Sequence, residues 1–174
     1  MLDRRTLLSL LPGLALPACG QYIEGKGEVP FVPSPDDVIE AMLKLAETTA
    51  QDTVYDLGCG DGRIVVMAAK KFGAASVGID IDPDRIKEAH EFAAENGVAG
   101  KVKFVEQDLF QADIHEATVV TLYLLTSVNL KLRPKLQKEL KPGARIVSHQ
   151  FNMGDWQPEK RILIGGRPIY LWRV

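Results

Sequence analysis

Three acids and a run of glycines carry the chemistry of this chain. Asp56, Gly58, Gly60 and Gly62 alternate along Val54-Tyr55-Asp56-Leu57-Gly58-Cys59-Gly60-Asp61-Gly62-Arg63-Ile64. Asp80 closes Ser76-Val77-Gly78-Ile79-Asp80, and Asp108 lies just past Lys101-Val102-Lys103-Phe104-Val105-Glu106. Glycine tolerates positive φ and lets backbone come close to a ligand. A carboxylate accepts hydrogen bonds and attracts cations. The set suits a small ligand with hydroxyls and a positive end. A dinucleotide turn reads G-x-G-x-x-G and seats a pyrophosphate; here an acid precedes the glycines and would repel one. On these residues alone a nucleotide cofactor remains the alternative.

The elements around these residues must bring them to one edge. Thr53 to Leu57 reads as a short buried strand, and Ile64 to Phe72 as a helix closed by Gly73. Strand, glycine turn and helix form the first unit of a doubly wound sheet, whose ligands bind at the carboxyl ends of the strands. Ser76–Asp80 is a second strand ending in an acid placed to accept from ribose hydroxyls. The competing reading makes Asp82 a cap before Pro83 and leaves Asp80 merely exposed. A helix from Pro83 to Asn96 follows, then a third strand, Lys101–Glu106. Asp108 beyond it can accept from an adenine amino group, with Leu109 or Phe110 over the ring, or else it is a turn residue. Ala117–Tyr123 is a fourth strand whose exit, Leu124–Asn129, is expected to face the crevice. A helix over Leu130–Leu140 contains Pro134, a fifth strand spans Ala144–His149, and Arg161–Ile164 with Ile169–Val174 forms a final hairpin. Ahead of the sheet, Ser34 is expected to N-cap a helix that begins at Pro35, with Asp37 completing a capping box.

This order of elements resembles the class I S-adenosylmethionine-dependent methyltransferases over Val29 to Val174. The resemblance implies a single Rossmann-like α/β domain: a seven-stranded sheet in the order 3-2-1-4-5-7-6, the last strand antiparallel, with helices on both faces. It implies S-adenosylmethionine as cofactor, held by Asp56, Leu57, Gly58, Gly60, Gly62, Asp80, Ile81, Asp108 and Leu109. Phe31-Val32-Pro33-Ser34-Pro35, the Tyr55–Val65 turn and Ser148-His149-Gln150-Phe151 look more narrowly like the small protein-lysine methyltransferases. That group includes the mitochondrial enzymes for the ATP synthase c-subunit and adenine nucleotide translocase. Those proteins commonly carry a proline after the fourth strand, where this chain has Thr126. The implied activity is N-methylation of a protein lysine. A non-catalytic cofactor-binding module, a small-molecule methyltransferase and a nucleotide-dependent oxidoreductase are the alternatives.

Substrate-side candidates are Tyr123, His149 and Trp156, each with packing as its plainer role. No catalytic residue is assigned. No Asn-Pro-Pro-Tyr element follows the fourth strand, which argues against an amino-methylating DNA enzyme. A formal net charge of -2 gives no bulk attraction for nucleic acid. No metal is expected, because no His, Cys or Asp cluster has ligand spacing. The expected partner is a protein substrate; oligomeric state is left open.

The first residues, MLDRRTLLSLLPGLALPACG, carry Arg4-Arg5, a short apolar run from Leu7 to Leu16 and then Cys19. The run is too short to span a bilayer and resembles a twin-arginine, lipoprotein-like export signal. The expected organisation is a signal over residues 1–18, a linker over 19–29 and the domain over 30–174. Lipid on Cys19 would tether the protein to a membrane. The alternative is a mis-set start and a cytoplasmic protein. Cys59 reads as a small side chain in a tight turn.

Overall fold

The computed structural model describes residues 29–174. The elements run α1 (Asp36–Leu45), β1 (Thr53–Leu57), α2 (Arg63–Phe72), β2 (Ala75–Asp80), α3 (Pro83–Glu95), β3 (Val102–Glu106), β4 (Val119–Leu122), α4 (Thr126–Glu139), β5 (Arg145–His149), β6 (Lys160–Ile164) and β7 (Arg167–Arg173). The seven strands form one sheet in the order β3-β2-β1-β4-β5-β7-β6. β3, β2, β1, β4 and β5 are mutually parallel, and β7 runs antiparallel to both β5 and β6. Five parallel strands send their carboxyl ends to one edge. Asp56 pairs in register with Thr121, and Asp80 with Glu106, so the strand-end acids converge there.

Alternation along each strand divides the core in two. Val54, Val119, Val147, Ile169 and Leu171 face α1 and α2. On the same face α3 packs through Ala89 and Ala93 against Phe104, Val65 and Val66. Leu57, Ile79, Val120, Leu122, Ile146 and Trp172 face the other way, onto Val128, Leu132 and Leu136 of α4. Helices thus lie on both faces. Between β3 and β4 the chain crosses as turns, and Ala112, Ile114 and Ala117 fill the α4-side core.

Two local expectations need correction. Ser34 does not cap α1: the helix begins at Asp36, Pro35 is the cap, and no side chain bonds the first turn. The Ser34 hydroxyl is taken instead by His149 Nδ1 at 3.0 Å, a long-range partner that no local pattern contains. The helix expected over Leu130–Leu140 begins four residues earlier. α4 starts at Thr126 because Val128, Asn129, Leu132 and Leu136 recur at helical spacing and are buried. Pro134 therefore stands in the helix interior. It is exposed, so the carbonyl it leaves without an N–H partner can be hydrated.

Candidate functional site

β1 ends at Leu57 and the chain then makes three left-handed turns, with φ of +84° at Gly58, +52° at Gly60 and +77° at Gly62. Asp80 braces this loop. Its Oδ2 accepts from the Gly60 N–H at 2.8 Å and its Oδ1 from the Asp82 N–H at 3.0 Å. Asp82 also caps α3, accepting from the Asp84 N–H at 3.0 Å. The two readings of this pair are therefore compatible: Asp82 caps, while half-buried Asp80 turns inward onto the glycine loop.

The glycines have different neighbours. A Cβ on Gly58 would lie 2.9 Å from Leu124 Cδ2. At Gly62 it would lie 2.8–2.9 Å from Phe104 and Ala89, so that glycine permits close helix-to-sheet packing. At Gly60 it would lie 2.3 Å from the Phe31 ring. The segment before α1 thus lies directly on the turn. It is strapped there by three further contacts. Arg63 Nη1 donates to the Ser34 carbonyl at 3.1 Å, Ser34 Oγ meets His149 Nδ1, and the Arg85 guanidinium sits 4.8 Å from the Phe31 ring centre. Arg63 is itself fixed by Asp61 at 2.5 Å.

Strap, glycine turn and strand ends enclose a cavity of about 350 Å³. Asp56, Gly58, Asp80, Ile81, Asp108 and Leu109 all line it. Phe110 lies beside Leu109, and Ile81, though apolar, is 48% exposed at the rim. Asp108 Oδ1 accepts from the Phe110 N–H at 2.9 Å, which fixes the turn carrying both. Leu57, Gly60 and Gly62 do not line the cavity. The Leu57 side chain belongs to the core, and the Gly60 N–H is occupied by Asp80. Asp56 is the buried acid of the site. Thr121 Oγ1 donates to its Oδ1 at 2.7 Å, yet burial, with Asp80 and Asp61 nearby, pushes its carboxyl up to about 7. A carboxyl so placed gains most from a cation.

The substrate-side candidates separate. Tyr123 lines the cavity. His149 lies behind it, buried, its ring stacked on Tyr123 with centroids 3.9 Å apart. Burial and Arg167 hold His149 down to about 4, so it is neutral. Trp156 is not brought to the cavity: it packs on Trp172, whose Nε1 donates to the Trp156 carbonyl at 2.8 Å. The aromatic pair anchors the β5–β6 loop, a role that sequence position does not separate from substrate contact.

The profile of the ANTKMT methyltransferase domain matches residues 56–160. A protein-lysine N-methyltransferase of Saccharolobus islandicus is 50% identical over 78% of this chain and 85% of its own length. The chain belongs to the ANTKMT methyltransferase domain family. The human lysine N-methyltransferase of the ATP synthase c-subunit is 33% identical over 75% of this chain, which spans 55% of that longer protein. A crystal structure from Salinibacter ruber, described as an RNA methyltransferase in complex with S-adenosyl-L-homocysteine, is 54% identical. It superposes with a TM-score of 0.81 over 82% of this chain and 94% of its own. Fold and family together make the protein an S-adenosylmethionine-dependent methyltransferase.

The residues present fit that cofactor. Its ammonium and sulfonium are cations, and Asp56 is a buried carboxyl facing the cavity that gains from one. Its ribose hydroxyls would find an acceptor in Asp80, and its adenine ring would find an apolar cover in Ile81, Leu109 and Phe110. The residues that sequence reasoning missed are Phe31, Arg63 and Arg85. Phe31 and Arg63 lie in two of the segments likened to the lysine methyltransferases, Phe31–Pro35 and Tyr55–Val65, whereas Arg85 stands on α3 and carried no signal. Asp80→Ala is expected to weaken S-adenosylmethionine binding by about 10- to 150-fold, from about 1.5–3 kcal/mol for a charged acceptor. It should also lower thermal stability, because the Gly60 and Asp82 N–H groups lose their acceptor. Calorimetry beside thermal denaturation checks both; unchanged affinity would move the ribose role elsewhere.

Proposed function

We propose that the enzyme methylates the side-chain nitrogen of a protein lysine, binding the cofactor through Asp56, Gly58, Asp80, Ile81, Asp108 and Leu109. The observation that carries this is the 50% identity to an archaeal protein-lysine N-methyltransferase across 85% of that protein. The site agrees with it in charge. The cavity's walls hold Asp56, Asp61, Asp80, Asp82 and Asp108, with Arg63 and Arg85 each paired to a carboxylate. Such a surface repels phosphate and suits a basic acceptor.

When bound, the cofactor supplies an activated methyl on sulfur. The chain's residues have three tasks. Asp56 draws the positive end down onto the glycine turn. The strap Phe31–Ser34 excludes water from one side of the cavity. The exit of β4 aligns the acceptor for in-line attack, where orientation and dryness supply most of the acceleration. A lysine must first shed its proton, which at pH 7 costs about 4.6 kcal/mol from a free pKa of 10.4. Burial of the acceptor amine against Tyr123 and Leu124 would lower that figure by desolvating the ammonium. Among the described residues no group of His, Cys, Asp and Glu is arranged to hold a metal ion.

The test is turnover with labelled S-adenosylmethionine and a cell extract, split between protease and ribonuclease treatment. Label lost to protease, with a mass increase on lysine, is the expected result. Label lost only to ribonuclease would instead favour an RNA acceptor, as described for the Salinibacter protein. Label on small molecules alone would favour a small-molecule methyltransferase, and cofactor binding without label a non-catalytic module.

The proposed organisation keeps residues 1–18 as a signal, 19–29 as linker and 30–174 as the domain, tethered by lipid on Cys19. Cys19 lies outside the described residues. Among those, no helix is long and apolar enough to cross a membrane. The full chain is expected in the membrane fraction and Cys19→Ser out of it, because stable anchoring requires more than one acyl chain on that residue. Both forms found in the cytosol with residues 1–18 attached would leave an untethered enzyme.

A further inference from the structure

We propose that His149 is a positioning residue: it fixes the strap before α1 and the exit of β4 against one another, and so sets how the cofactor end of the cavity meets the acceptor end. It acts through Ser34 and Tyr123, both cavity residues, rather than on either ligand. The role is the same whichever acceptor takes the methyl.

His149 stands where three elements meet. Its ring is buried at the end of β5. Nδ1 lies 3.0 Å from the Ser34 hydroxyl of the strap. The ring face stacks on Tyr123, which follows β4, with centroids 3.9 Å apart and planes 29° off parallel. The hydrogen bond lies in the plane of the imidazole and the stack uses its face, so one side chain serves both without conflict. Ser34 is 3% exposed, and its carbonyl is held separately by Arg63 Nη1 at 3.1 Å. A buried hydroxyl deprived of its partner costs free energy, so loss of the imidazole bond should free the strap to move.

The ring has a rigid mount. Directly after it the chain turns at Gln150 with φ of +64°, a conformation that a residue with a Cβ rarely adopts. The Gln150 N–H donates to the Pro168 carbonyl at 2.8 Å. Ser148 Oγ donates to the Phe151 carbonyl at 2.7 Å, and Asn129 Nδ2 donates to the same carbonyl at 3.1 Å. Asn129 is fully buried in the first turn of α4, next to Val128, which lines the cavity. The end of β5 is thus tied to the strap through His149 and to the start of α4 through Asn129. In-line transfer depends on sub-ångström alignment of acceptor, methyl carbon and sulfur, so a shift of Tyr123 should lower rate far more than cofactor affinity.

Two substitutions in the full chain separate the two contacts. His149→Asn carries an amide at the place of Nδ1, so it keeps a partner for Ser34 and has no ring for Tyr123. His149→Phe keeps a ring for Tyr123 and has no partner for Ser34. Ser34→Ala removes the same bond from the strap by losing one hydroxyl, and reads the latch even if a change at 149 impairs folding. Calorimetry with S-adenosyl-L-homocysteine measures affinity. Transfer of label from saturating S-adenosylmethionine to a cell extract measures rate, with labelled protein or RNA serving equally. His149→Asn is expected to keep affinity within about twofold of wild type and to lose about tenfold in rate. His149→Phe and Ser34→Ala are expected to lose about five- to tenfold in affinity, with a smaller change in rate at saturation. Joining Ser34→Ala to His149→Phe should add no further loss, because both remove one bond. A buried ring with a packing role alone would lose affinity, rate and melting temperature together. Parallel losses in His149→Asn and His149→Phe, wild-type values in both, additive losses in the double variant, or wild-type affinity in Ser34→Ala overturn the proposal.

Discussion

Asp56→Asn is expected to weaken S-adenosylmethionine binding about 100-fold while making the ligand-free protein more stable at pH 8. The two effects have one cause. The Asp56 carboxyl is buried and held near 7 rather than its ordinary 3.8, which puts the cost of ionising it in the folded, empty site on the order of 4 kcal/mol. Asparagine keeps an oxygen for the Thr121 hydroxyl, which now donates to Asp56 Oδ1, and carries no charge to desolvate. The folded protein binds this proton more tightly than the unfolded chain. The group's contribution to stability is therefore complete below about 3.8 and is lost as pH rises through about 7. The variant should lose that slope and melt several degrees higher at pH 8. Cofactor affinity runs the other way, because a cation binds the ionised carboxyl. Wild-type affinity is expected to rise with pH through about 7 and then level, and Asp56→Asn to show a flat, low line. Calorimetry from pH 6 to 8.5, beside thermal denaturation of the ligand-free forms, reads both. Cofactor affinity equal to wild type in the variant would remove Asp56 from the site.

Gly60→Val is expected to abolish cofactor binding, and the structure locates the damage in the strap. The residue's φ of +52° already disfavours a β-branched side chain. The larger effect is the Phe31 ring, 2.3 Å from where a Cβ would stand, which must leave its seat. Moving it opens one wall of the cavity and pulls on Ser34, whose carbonyl and hydroxyl hold Arg63 and His149. The damage is expected to be partly relieved by shrinking the partner. Gly60→Ala alone, Phe31→Ala alone and the double variant form a cycle. The alanine at 60 should cost at least about 1 kcal/mol less binding energy when residue 31 is also alanine. Additive effects would show that the turn and the strap act independently, and intact binding by Gly60→Val would remove the glycine turn from the site.

The chain by itself determined the sheet and the edge where the strand-end acids gather. Val, Ile and Leu alternate or run through Thr53–Leu57, Ser76–Asp80 and Ile146–His149, while Ile64–Phe72 repeats at helical spacing up to Gly73. Both periods are local, so they can be read without a partner. A parallel sheet sends its strand ends to one edge, so Asp56, Asp80 and Asp108 could be placed together from spacing alone. The tertiary structure decided which atoms those residues offer. Asp80 braces Gly60 and Asp82, Leu57 fills the core, Gly62 seats a helix on Phe104, and Trp156 packs on Trp172 away from the cavity. It alone joined Phe31 to Gly60, Ser34 to His149 and Tyr123 to Gln150. Those partners lie 29, 115 and 27 positions apart and meet only because the sheet brings them to one edge. No periodicity spans such separations. Ser34 shows the limit most plainly, since its local pattern reads as a helix cap while a buried imidazole from β5 takes its hydroxyl.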